Sequence, residues 1–192
     1  MRTLFVLALM GALAAAPRAA DDHLHDRFDT LLARHVSDGA VDYAGLAGDE
    51  AALDEYITAL GDVDPAALDR NARVAFWVNA YNAFTLKLIL DHYPGIESIK
   101  DIPGGKRWKH ERWTVSGRVY SLDRIEHEIL RPMGDARVHF VLVCASRSCP
   151  DLLAEAIVAE RLDEQLDGAT RRFLADDTKG LAFGTEPGVL WG

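Results

Sequence analysis

Apolar residues recur at helical spacing over Asp26 to Arg34, where Phe28, Leu31 and Leu32 share a face, and again over Asp49 to Leu60, where Leu53, Tyr56, Ile57 and Leu60 fall at i, i+3, i+4 and i+7. Two helices are expected there, the first ending before Ser37-Asp38-Gly39 and the second closed by Gly61. Between them VDYAGL, Val41 to Leu46, is short and reads as extended. Asp64-Pro65 offers a cap with proline at the first helical position, predicting a helix from there to His92, broken once near Asn71 and ended by Tyr93-Pro94-Gly95. Its middle, RVAFWVNAYNAFTLKLIL, has no charge between Arg73 and Lys87 and is apolar nearly all round, so it is expected to be the buried central helix of the core.

The second half alternates shorter elements. WTVSGRVYSL predicts a hairpin turning at Ser116-Gly117, and LDRIEHEILR a helix capped by Ser121 or Asp123 and stopped by Pro132. Arg137 to Cys144 is apolar on both faces and is expected to form the central strand. A helical region is expected after Cys149-Pro150, with strand-like pieces in the final LAFGTEPGVLWG. The whole predicts an α/β (α+β) fold, with a buried central helix and a small, mostly antiparallel sheet.

The first 20 residues change the picture of domain organisation. Arg2, the apolar run Leu4 to Ala16 and the small residues that follow have the form of a secretory signal peptide, residues 1–20. That leaves 21–192 as a single globular domain. No later window approaches the roughly 20 apolar residues that a membrane helix needs, so no integral membrane segment is expected once the signal is removed. A periplasmic or secreted location follows as an expectation. The net charge of -9 and pI near 5.2 argue against nucleic-acid binding, and the basic, aromatic RWKHERW at Arg107 to Trp113 reads as a solvated loop entering a strand.

Candidate chemistry concentrates in VHFVLVCASRSCPDLL, Val138 to Leu153, which holds both cysteines. Cys149 directly precedes proline and the expected helix, a setting that lowers a thiol's pKa. Nucleophilic catalysis would need a base, for which His139 and His127 are the candidates, and an orienting group, for which Glu126, Asn79 and Asn82 are candidates. His139 is near in sequence but an extended strand would carry it far from Cys149. The two asparagines, at i and i+3 in the buried helix, could instead bind a neighbouring loop's backbone. Equally, an even pair of cysteines in a secreted chain commonly forms a disulfide, and the loop between Cys144 and Cys149 is long enough to permit one. Metal binding by His127, His139 and the cysteines lacks compact ligand spacing, so neither metal nor cofactor is expected.

VDYAGL, AFWVNAYNAFTLKLIL, YPGIESIKDI, VYSLDRIEHEILR and VHFVLVCASRSCPDL, in this order, resemble the bacterial family catalogued as domain of unknown function 547, over about 41–174. Members are typically exported or membrane-associated and have no settled reaction. The resemblance implies a distant kinship with papain-like or transglutaminase-like thiol folds, with elements permuted. It also implies a shared site at Asn79, Asn82, Glu126, His127, His139, Cys144 and Cys149, and a further aromatic-rich element beyond the terminal LWG. The resulting expectation is an exported cysteine-dependent amide or thioester hydrolase, or acyltransferase, acting on a peptide or small amide-containing substrate. In it Cys149 is the nucleophile, His139 or His127 the base, and amides of the helix after Pro150 form the oxyanion site. The alternative is a non-catalytic periplasmic binding or interaction module stapled by Cys144–Cys149. Oligomeric state is not legible in the residues.

Overall fold

A computed structural model describes residues 23–144 and 149–179, and the backbone of two short strands beyond them. The expected signal peptide lies outside these residues. The chain begins with α1 (Asp26–His35), whose buried face is Phe28, Leu31, Leu32 and His35. A minimal hairpin follows, β1 (Val36–Ser37) and β2 (Ala40–Val41), turning through Asp38 and Gly39, both at positive φ. VDYAGL is extended only at Val41: α2 (Tyr43–Gly48) follows at once, because Asp42 accepts a hydrogen bond from the Gly45 amide and caps the first turn. α3 (Glu50–Asp62) forms where expected but runs through Gly61, with Val63 as its C-cap.

α4 (Arg70–Leu90) is the axis of the molecule, with every residue from Val74 to Leu86 buried. It starts later than the Asp64-Pro65 signal suggests, since Asp64 caps only a turn through the Ala66 amide. Asp69 caps the helix itself through Ala72. Around it pack α3 and the hairpin β3 (Trp113–Val115) and β4 (Arg118–Tyr120), the latter through stacking of Phe84 on Trp113 and an edge contact of Trp77 with Tyr120. A short α5 (Gly104–Arg107) precedes the hairpin. After it, α6 (Leu122–Arg124), capped by Ser121, widens into a π-helical stretch, Ile125–Leu130.

The expected central strand is absent. Ala136–Val141 forms a 3-10 helix capped by Asp135, and the backbone turns extended at Leu142. Val138 and Val141, three residues apart, are its buried positions, the spacing of a three-residue turn rather than of a strand. The helix expected from Pro150 is also absent: residues 149–158 are irregular, and helical structure resumes only at Ala159–Arg161 and α7 (Leu162–Ala175). α7 packs on the 3-10 helix through Phe140 and Phe173. Arg137 reinforces that contact by reaching Asp135, Asp163 and Asp167 at once. β5 (Ala182–Phe183) pairs with β6 (Leu190–Trp191). Among the described residues every strand pairing is antiparallel and two-stranded, which makes the fold a helix-rich α+β domain rather than one built on a sheet. Among the described residues no helix is long and apolar enough to cross a membrane.

Candidate functional site

The β1–β2 turn fixes one wall of a cleft of about 790 Å³. A Cβ at Gly39 would sit 2.2 Å from the Asp151 carboxyl carbon, so only glycine lets the turn close against that side chain. Asp151 in turn pairs with Lys179 just after α7. Tyr43, at the first turn of α2, lines the same space and its hydroxyl is pushed up to about 12 by burial, so it stays protonated. The apolar side is Val41, Leu86 from the central helix, Val143 and Leu152, while Asp38 and Asp176 complete the polar rim.

Cys144 and Cys149 flank this cleft, since the residues next to them, Val143 and Pro150, belong to its lining. The two are joined as a disulfide, with Cα atoms 6.1 Å apart. Residues 149–158 form no helix, so Cys149 does not sit at a helix start as expected. The helix whose amides were expected to form the oxyanion site is not there.

Asn79 and Asn82 serve the backbone. Asn79 donates to the Ile157 carbonyl at 2.8 Å and accepts from the Ile157 amide at 2.9 Å. Asn82 donates to the Val141 carbonyl at 2.9 Å and accepts from the Val143 amide at 3.1 Å. Each carboxamide thus replaces a neighbouring strand, satisfying an extended segment that has no ladder of its own. Both are buried, and both ends of each amide are used.

Glu126 and His139 are brought together, and His127 is not. His139 Nδ1 lies 3.9 Å from Glu126 Oε1, close enough for charge attraction but not for a hydrogen bond. Arg131 donates to the same oxygen at 2.9 Å. Tyr81, 3 % exposed on the central helix, has its hydroxyl pushed up by burial and then by the charges of Glu126 and Asp123. His127 turns toward Asp123, 3.8 Å away. Both histidines are largely exposed, and neither is among the residues lining the cleft beside the disulfide. Among the described residues no group of three or more histidine, cysteine or carboxylate side chains is arranged to hold a metal.

Tyr43, Tyr81, Asp151 and Lys179 escaped the sequence reading. A model of the family described as "Protein of unknown function, DUF547" matches residues 65–174. The chain belongs to this family. The DUF547 stretch contains the central helix, both asparagine clamps, the π-helical turn and the disulfide, whereas the Asp38–Tyr43 wall of the cleft precedes it. No curated protein and no solved structure matches this DUF547 chain.

Proposed function

We propose that this DUF547 protein is an exported binding module, stapled by Cys144–Cys149, whose cleft receives a small ligand. The observation that carries this reading is the disulfide beside a cleft lined, among the described residues, by carboxylates, Tyr43 and apolar groups without a histidine. A resting cysteine nucleophile needs a free sulfur and a base within reach. The volume suits a small molecule. Export fits the expected signal peptide and gives the disulfide an oxidising compartment in which to persist.

Mass spectrometry of the mature protein after treatment with an alkylating reagent tests it. Under the binding reading, Cys144 and Cys149 alkylate only after reduction. One observation favours a second reading: the approach of Glu126 to His139, which would orient that imidazole as a base for a thiol hydrolase or acyltransferase. Rapid alkylation of Cys149 near neutral pH in unreduced protein would support that reading and overturn the stapled module.

A further inference from the structure

We infer that the cleft between the β1–β2 turn and Asp151 selects an amphipathic cation, a primary amine carried on an apolar body. The inference rests on the binding reading and specifies what binds. Among the described residues the rim holds Asp38, Asp151 and Asp176 against one ammonium, Lys179. Lys179 is already paired with Asp151. Asp176 keeps its charge through bonds from the Thr178 amide and hydroxyl at 2.9 and 2.6 Å, and then through the field of Lys179. Asp38 has no ion-pair partner among the described residues. The described lining therefore carries an excess of negative charge at neutral pH, and the low-dielectric walls of a cleft focus such a field on whatever enters.

Two further features favour a cation over a neutral or anionic molecule. The Tyr43 ring lines the space, and an aromatic ring attracts an ammonium electrostatically while its hydroxyl supplies an oxygen that can accept a hydrogen bond. The same lining is apolar at Leu86, Val143 and Leu152, so an alkyl or aryl body would leave water there. An acid would face the uncompensated carboxylates, and a fully polar cation would gain nothing from the apolar wall.

The test titrates hexylammonium, hexanoate and hexanol separately into the oxidised mature protein, following backbone amide signals of Gly39, Val41, Leu86 and Val143 by NMR. Hexylammonium is expected to saturate these signals at least fivefold more tightly than hexanoate. That preference should shrink in 0.5 M salt and in the Asp38→Asn/Asp176→Asn double variant. Asparagine suits both positions, since it adopts positive φ readily and keeps an oxygen for Thr178. If hexanoate or hexanol binds these residues as tightly as hexylammonium, the cation preference is overturned and the cleft remains a binding site. If none of the three moves these signals, the cleft reading itself falls, together with the inference.

Discussion

Asn82 shows how much a single side chain can carry when a segment lacks a neighbouring strand. Replacing it with alanine would leave the Val141 carbonyl and Val143 amide buried without partners, at a cost of about 2–5 kcal/mol. Urea unfolding of Asn82→Ala against wild type would measure that loss. His25 makes a different demand on its surroundings: it lies against the Tyr56 hydroxyl at 2.7 Å, and burial pulls its pKa from 6.5 down to about 4, against the opposing field of Asp26. The folded state therefore holds a neutral imidazole where the unfolded chain would bind a proton. Its contribution is fully present above about pH 6.5 and is lost as pH falls toward 4, by up to about 3 kcal/mol. Unfolding curves at pH 7 and 4.5 should separate wild type from His25→Gln, the variant losing less stability on acidification.

At the scale of elements, the helices with one apolar stripe were legible because their period is unambiguous. α1 and α3 formed where Phe28 and Leu53 begin their repeats. The central helix was legible by its lack of charge, and the β3–β4 hairpin by Ser116-Gly117. Ala136–Val141 was not legible, because valines at 138 and 141 fit a three-residue turn as well as an apolar strand. Asp135, which starts the turn, lies just outside the apolar run. The residues after Pro150 misled for the opposite reason: Leu152, Ala156 and Ile157 are apolar at helical spacing, yet Asn79 and Gln165 satisfy their backbone in another conformation. The candidate site divided the same way. The sequence singled out Glu126, both His127 and His139, and the cysteine pair without deciding which of them meet, whereas Tyr43, Asp151 and Lys179 meet only through tertiary packing that no local pattern announces.

The docking of α7 rests on a measurable ion-pair network. Arg137 bonds Asp163 and Asp167 at 2.7 Å each, besides Asp135. In Arg137→Gln three carboxylates would be left facing one another, with a loss of about 1–3 kcal/mol expected at low salt. Because that repulsion is partly exposed to solvent, the deficit of the variant relative to wild type should shrink in 0.5 M salt, as read by chemical denaturation.

For the whole molecule, stability is tied to compartment. Closing so short a loop with Cys144–Cys149 removes unfolded-state entropy worth about 2 kcal/mol. For a chain of this length, that corresponds to a Tm higher by roughly 4–8 °C in the oxidised form than in protein held reduced. Calorimetry of both forms, with Cys144→Ser/Cys149→Ser as the control, checks it. The double variant should match the reduced protein and show no response to reductant.

The two asparagines on the central helix sit three residues apart, about 4.5 Å along its axis. One grips the chain before the cysteines and the other the chain after them. The helix thus works as a gauge that sets the distance between two strands of traffic through the core. One residue inserted between Asn79 and Asn82 would swing the second amide by about 100°. This stretch can therefore exchange apolar side chains over time, but it cannot change length.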